Sequence, residues 1–401
     1  MVARSEAGGP ARRGRPPGSP PLSASINPLI VVDLPGHPVD DEARNARASH
    51  LLSVPALIRY ARECADALCM PRALREADPE LPETRRALPR WVDGCLASPS
   101  PDVRAAADAL ARRLGRNLGT LVAALHWGDA VNRAARHDWS DAEWDHWHQV
   151  RRVWVGGGIT SGALGDEMLR HARDVLVETG CAEALTIART PYPGLMATLG
   201  AGRYLPQSEV RVDREHALVL DFGQTSVKRA VLTYHCDAIA QIAWLPTAPV
   251  SWRWPRGPHG RHEISGQAVL DFVVGTTCDA LTYAVEHMGT PVGPDVMMSM
   301  AADVDGGTVL GKGVYARMRQ LADDVRTLIA DGVAVVCGRR IRAGRRIRAI
   351  LMHDGVAAGA VHAGEPPLPS AVLLVGTALG VGFPPESAAG LRPIADSLTV
   401  V

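Results

Sequence analysis

Residues 217–234 read ALVLDFGQTSVKRAVLTY. Two apolar runs flank Asp221-Phe222-Gly223-Gln224-Thr225, a pattern that predicts a hairpin turning at Gly223–Thr225. Glycine at 223 lets the backbone approach phosphate oxygens closely, and Gln224, Thr225 and the neighbouring N–H groups can meet them there. Asp221, at a strand end, can hold Mg2+ through water, and Lys228 follows on the return strand. The same residues suit an ordinary hairpin, because Asp-x-Gly is common in turns. A protein-kinase reading of Asp-Phe-Gly fails: no His-Arg-Asp catalytic loop exists, and an apolar strand follows where an activation segment would be.

Three further segments carry chemistry. In LLVGTALGVG (373–382) a buried strand ends in Gly376-Thr377, with Gly380 and Gly382 behind it, making a second backbone cradle for phosphate. In VWVGGGIT (153–160), Gly156, Gly157 and Gly158 leave space at a strand end for something flat, such as a nucleotide base or ribose. This segment lacks the GxGxxG spacing and downstream acid of a dinucleotide fold. In ILMHDGVAAGAV (350–361), Asp354 stands between an apolar strand and a small-residue helix. It can cap that helix, or take a proton from a hydroxyl that attacks a phosphoryl group.

Composition sets the outer bounds. A chain of 401 residues with 46% apolar and 21% charged content can bury a large core, in two lobes rather than one. Lys+Arg and Asp+Glu are 43 each, so net charge gives no reason to expect nucleic acid or an anionic membrane as partner. Only two of the basic residues are lysines, Lys228 and Lys312, and the arginine excess follows the Arg-, Ala- and Gly-rich composition. The run RRIRAGRRIR (339–348) is accordingly expected to be an exposed loop beside the substrate lobe rather than a nucleic-acid surface. Seven scattered cysteines without a CxxC pair predict reduced thiols in a cytoplasmic protein. No apolar stretch reaches the ~20 residues of a membrane span. The first 25 or so residues, rich in Pro, Gly, Ser and Arg, are expected to be a disordered tail.

Along the chain, NPLIVVDLPGHPVDD (27–41) predicts a short strand and a turn, and helical spacing then dominates to about residue 150. SVPALIRYARECADAL begins with Ser-x-Pro, a helix start. SPDVRAAADALARRLGRNLGTLVAALHWG predicts a long helix whose second half is buried. The tryptophans of HDWSDAEWDHWHQVRRVW predict a surface helix capping the core. Strand, glycine turn and helix follow over 152–179, then strand, loop and a small-residue helix to 203. Residues 204–216 read as a linker. Strands are expected over 217–249, a loop over 251–262, a helix from Ser265, a strand at DVMMSMA, a helix near 315–331 and strands ending in IRAILMHDG. Strands alternating with helices and hairpins indicate an α/β protein.

Taken together, the four segments resemble the ROK (repressor, ORF, kinase) family of sugar kinases and regulators. Asp221–Thr225 is similar to the family's first phosphate loop, His353-Asp354 to its Asn-Asp with the catalytic Asp, Gly376–Gly382 to its second phosphate loop, and Gly156–Gly158 to its adenosine turn. MSMAADVDGGTVLG (298–311) is similar to the family's connection between the first two. The order is rotated: LPGHPVDD resembles the family's Gly-Glu-x-Gly-His segment, SVPALIRYARE the helix after it, and GRNLGTLVAAL, VWVGGGIT and GLMATLGAGRYL the family's C-terminal third. The resemblance covers about residues 28–390 and implies a two-lobed actin-like/hexokinase (ribonuclease H-like) ATPase fold in circularly permuted order. Residues 204–216 would then join the ancestral ends.

On that basis 1–27 is the tail, 28–203 the first part of the larger lobe and 204–216 the linker. Residues 217–348 form the smaller lobe, and 349–401 return to the larger. The implied function is an ATP- and Mg2+-dependent kinase acting on a hydroxyl of a sugar or sugar-like molecule. Asp354 is its general base and Asp221 its metal residue. Gly223, Gln224, Thr225, Lys228, Gly376, Thr377, Gly380 and Gly156–Gly158 contact the nucleotide. Departures from the family's pattern are Gln224 and Ala378 for glycines, Leu34 and Ser49-His50 at the sugar-binding glutamates, His353 for Asn, and no zinc cluster. Asp33, His37 and His353 are the candidates for substrate contact. A catalytically inactive ROK-like ligand sensor and an actin-like assembling protein are the alternatives; the oligomeric state is open, a homodimer included.

Overall fold

From Ala48 to Gln149 apolar side chains recur every three or four residues, and the chain folds as α1 (Ala48–Leu51), α2 (Val54–Glu63), α3 (Arg72–Glu76), α4 (Pro82–Leu96), α5 (Pro101–Trp127), α6 (Ala130–Ala135) and α7 (Asp141–Gln149). The starts are chemically marked. Ser53 Oγ accepts the N–H of Ala56 at 3.2 Å, with Pro55 in the first turn, and Ser100 caps α5 in the same way. The second half of α5 is buried as expected and ends at Gly128 in the left-handed region. Trp144 and Trp147 of α7, with Trp139 before it, are buried, the ring of Trp144 lying edge-on to Trp139 at 5.1 Å.

The computed structural model describes residues 25–79, 81–207, 213–250, 264–290, 292–311, 313–337 and 347–401. The first 24 residues of the expected tail, the centre of the 204–216 linker, the 251–262 loop and the arginine run to residue 346 lie outside the described residues. Beyond α7 come β1 (Arg152–Gly156), α8 (Ala163–Glu178), β2 (Thr186–Arg189) and α9 (Met196–Arg203). Then follow β3 (Arg214–Phe222), β4 (Ser226–His235), β5 (Ala238–Pro249), α10 (Gly266–Glu286), β6 (Asp295–Met300), β7 (Val304–Asp305) and β8 (Thr308–Val309). The chain ends with α11 (Val325–Cys337), β9 (Arg348–His353), α12 (Asp354–Ala360), β10 (Ser370–Val375), β11 (Leu379–Gly382) and β12 (Ile394–Val400).

This is an α/β protein with mixed sheets. A six-stranded sheet runs β12-β5-β4-β3-β6-β9, and a four-stranded sheet runs β11-β10-β1-β2. Each contains an antiparallel hairpin closed by a glycine turn, β3–β4 and β10–β11. Each extends from the hairpin's first strand through parallel neighbours, β6 and β9 in one sheet, β1 and β2 in the other.

Both faces of the central strands are covered, so they read as continuous apolar runs. Leu218, Leu220 and Phe222 of β3 face a core shared with α10 and α11, while Ala217 and Val219 face α9 and α12. In β10, Ala371, Leu373 and Val375 join the helical core of residues 26–187, and Val372 and Leu374 meet the same α9–α12 layer. That layer therefore lies between the two sheets. Each fully buried Leu or Phe contributes about 1.5–3 kcal/mol.

Several expectations need adjusting. The short strand expected within 27–41 is realised only as isolated bridges, Ile30 to Arg47 and Val31 to Arg44. The reason is that the Asn132 side chain serves this backbone, accepting from Val32 N–H and donating to Asp33 O, both at 2.7 Å. The helix expected near 315–331 divides into a 3-10 turn, Tyr315–Gln320, and α11, because Asp324 caps a new start. The 204–216 linker is shortened, since β3 already begins at Arg214. Both β9 and β12, counted above with the segment 349–401, pair into the six-stranded sheet. By length and composition alone α10 could cross a membrane, at 21 residues and mean hydropathy 1.4, but it packs largely buried against that sheet. None of the seven cysteines is in a disulfide.

Candidate functional site

The carboxyl ends of β3, β6, β9, β10 and β1 converge on one cleft of about 620 Å3, the place where parallel sheets usually receive ligands. Asp221, Gly223, Gln224, Thr225, Lys228, His353, Asp354, Gly376, Thr377, Gly380, Gly157 and Gly158 all line it. Residues 150 or more positions apart in sequence thus meet, as the four-segment reading requires.

The first wall is the β3–β4 hairpin. Asp221 sits opposite Lys228 on β4 and Ser299 on β6. Its Oδ1 accepts the Ser299 hydroxyl at 2.9 Å, and its Oδ2 lies 3.5 Å from Lys228 Nζ. The carboxylate is therefore buried yet partnered, which is what makes its burial tolerable. The turn is braced from below: Tyr315 O–H donates to Gly223 O at 2.9 Å, and Gly223 N–H donates to Asp221 O and Ser226 O. Burial, and then the nearby Asp221 charge, push the Tyr315 hydroxyl well above its ordinary range, so it stays a donor. Gln224 is exposed at the tip.

The second wall is the β10–β11 hairpin. Gly376 O accepts the N–H of Val54, at the start of α2, at 2.8 Å. Asn27 clips the other side, donating to Leu379 O at 2.7 Å and accepting from Leu379 N–H at 2.8 Å. Its carboxamide thus replaces a strand partner just beyond Thr377.

Asp354 opens α12 directly after β9. Its Oδ1 lies 3.1 Å from His353 Nε2, and the same imidazole nitrogen is 3.9 Å from Asp303 Oδ1. Burial raises the Asp354 carboxyl above the usual carboxylate range. His353 and the Gly355 N–H oppose that, while the Asp221 and Asp303 charges add to it. The result is a proton acceptor of strengthened basicity facing the cleft between the two hairpins.

At the third wall Gly157 has φ +105°, and a Cβ there would lie 2.7 Å from Val375 N, so only glycine fits. Its N–H donates to Pro193 O at 2.7 Å. Gly158 faces open space, with nothing within 4 Å of a would-be Cβ. Gly156 stands behind them, close to Met196 and Thr190, and does not line the cleft.

No protein-family model and no curated protein matches the chain. The site is therefore read from its own geometry. Two of the three substrate-contact candidates stand apart from the cleft: His37 pairs with Glu178 at 3.6 Å, and Asp33 gives its carbonyl to Asn132. His353 is inside. Sequence reading passed over Ser25, Asn27, Arg85, Arg86 and Asp303, all of which line the cleft. Asn27 belongs to no recognisable motif, Asp303 lies in the 298–311 segment but was given no role there, and Arg85-Arg86 disappears into an arginine-rich composition.

The carboxylate set also bears on a metal. Magnesium is normally held by one or two carboxylates together with waters and phosphate oxygens. Asp221 fits such a role, presenting a carboxylate at the base of a glycine turn whose backbone can meet phosphates. Among the described residues, the group of carboxylates and imidazole gathered within 4.8 Å is elsewhere, Asp108, Glu167 and His171. Arg112 and Arg170 already pair with Asp108 there.

Proposed function

We propose that the chain is an ATP- and Mg2+-dependent kinase that phosphorylates a hydroxyl of a sugar or sugar-like small molecule. The observation that carries this reading is Asp354, basic and helix-borne, between two glycine hairpins in one cleft. Gly223–Thr225 and Gly376–Gly380 receive the phosphates, and Gly157–Gly158 the adenosine. Asp354 accepts the substrate hydroxyl proton as that oxygen bonds to the terminal phosphorus and the bond to the bridging oxygen breaks. His353, at 3.1 Å, holds the Asp354 carboxylate in orientation. Mg2+, held through Asp221, would neutralise phosphate charge.

The topology supports the two-lobed actin-like/hexokinase reading and its permuted order. In the six-stranded sheet the glycine hairpin precedes its parallel strands in sequence; in the four-stranded sheet it follows them. A chain started at β3 and joined from its present end to its present beginning would put the hairpin first in both sheets. That is the order of two like units, and it makes 204–216 the added join.

Mg2+ with ATP should raise the melting temperature, since a ligand at a hundred times its Kd adds about 2.7 kcal/mol of stability. A chain whose melting is unmoved by millimolar ATP and Mg2+ is not this kinase.

A further inference from the structure

The cleft has a basic wall that the kinase chemistry above does not use. Near the far end of α4, Asp93 Oδ1 accepts the N–H of Leu164 at 2.7 Å, so α4 caps α8 directly behind the Gly158–Ser161 turn. Leu88 and Val92 of α4 are buried in the same core. From Asp93 back to Arg86 is about 10 Å of helix axis at 1.5 Å per residue. The helix is thus fixed at the glycine turn and extends its N-terminal part into the cleft, where Arg85 and Arg86 line the surface with Gly157 and Gly158.

Arg85 Nε donates to Pro79 O at 2.9 Å, which orients its guanidinium plane. Arg86 Nη2 is 3.5 Å from Glu83 Oε1, and its side chain keeps 53% of its exposure, so it is loosely held and can turn to a ligand. The positive end of the α4 dipole adds to both charges. The acids lining the cleft, Asp221, Asp303 and Asp354, belong to the other walls. A ligand in this cleft therefore meets carboxylates at the reacting end and two guanidinium groups on the α4 wall.

We infer that Arg85 and Arg86 bind phosphoryl oxyanions, joining the Gly223–Thr225 and Gly376–Gly380 turns in holding the phosphates of the nucleotide in this cleft. The inference rests on the nucleotide reading of the cleft. Guanidinium groups match phosphate oxygens in pairs of parallel N–H bonds, whereas a neutral ribose or base gains little from them. The same chemistry could instead serve a phosphate on the acceptor, and the experiment separates the two sources.

Calorimetric titration of wild type and the Arg85→Gln/Arg86→Gln variant with ATP, adenosine and glucose 6-phosphate, each with Mg2+, tests it. ATP should bind about a hundredfold more weakly to the variant, roughly tenfold per charge-assisted contact, with adenosine unchanged within about twofold. The slope of log Kd for ATP against log salt should flatten, and Arg85→Lys/Arg86→Lys should recover part of the affinity. ATP binding within about twofold of wild type, parallel loss of ATP and adenosine, or selective loss of glucose 6-phosphate overturns the inference. So does a wild type that binds ATP no better than adenosine, which leaves the nucleotide site standing; a wild type that binds neither removes both.

Discussion

Gly355→Ala separates a fold that merely contains small residues from one that depends on them at the site. Gly355 follows Asp354 and lies against the β10–β11 hairpin. A Cβ there would fall 2.7 Å from the Val381 carbonyl carbon and 2.9 Å from His353 Cε1, and closer still to the Val381 oxygen. Ordinary contact begins near 3.4 Å, so α12 and the hairpin must part by about 1 Å. Backbone on both sides cannot yield as a side chain would. Overpacking of this kind costs about 2–3 kcal/mol. A 1 Å displacement of Asp354 from the phosphate loops should also lower phosphoryl transfer by about a hundredfold. Gly275→Ala is the internal control: Gly275 is exposed within α10 with open space around it, so alanine should stabilise by about 0.5–1 kcal/mol. Urea denaturation of both variants, with kinase activity, reads the contrast. A Gly355→Ala protein as stable as wild type would refute the close approach of α12 to the hairpin.

Asp354→Asn should abolish activity while raising stability at neutral pH, measured by melting across pH. The carboxyl is raised in the folded state, so its contribution is favourable below its unfolded pKa and is lost as pH rises through the folded value; the gain should vanish below about pH 3.5. Asn27→Ala removes two hydrogen bonds to Leu379 and should cost about 1–2 kcal/mol, with the larger functional effect on KM for ATP. Ser299→Ala leaves Asp221 short of a buried donor and should destabilise by about 1 kcal/mol in urea titration; an unchanged midpoint would mean that Ser299 does not support Asp221.

The parts of the molecule legible in sequence are those whose signal is local. The hairpin turning at Gly223–Thr225, the helix start at Ser53 and the burial of α5 all follow from periodicity and turn chemistry. What was hidden depends on distant partners. Leu379–Gly382 is glycine-rich and becomes a strand only because β10 and the Asn27 side chain pair with it. Ile394–Val400 is an exposed edge strand, set by pairing with β5 and anchored just before it by Arg392, which meets Asp237 and Glu215. Asp303 reaches the cleft because Leu310 N–H bonds its carbonyl across a two-residue hairpin turn; Asp305-Gly306-Gly307 marks the turn, but nothing local shows which way it turns Asp303. The substrate-facing residues are the least legible, since Asp33 and His37 stand outside the cleft that their segment was expected to join.

The most direct test is transfer of the terminal phosphate of ATP to a panel of sugars and amino sugars, by wild type and Asp354→Asn, in the presence of Mg2+. Acceptor-dependent transfer that the substitution lowers by at least about a hundredfold is the predicted result. Equal transfer by the two proteins, or ATP consumption indifferent to every acceptor, would contradict the assignment of this cleft.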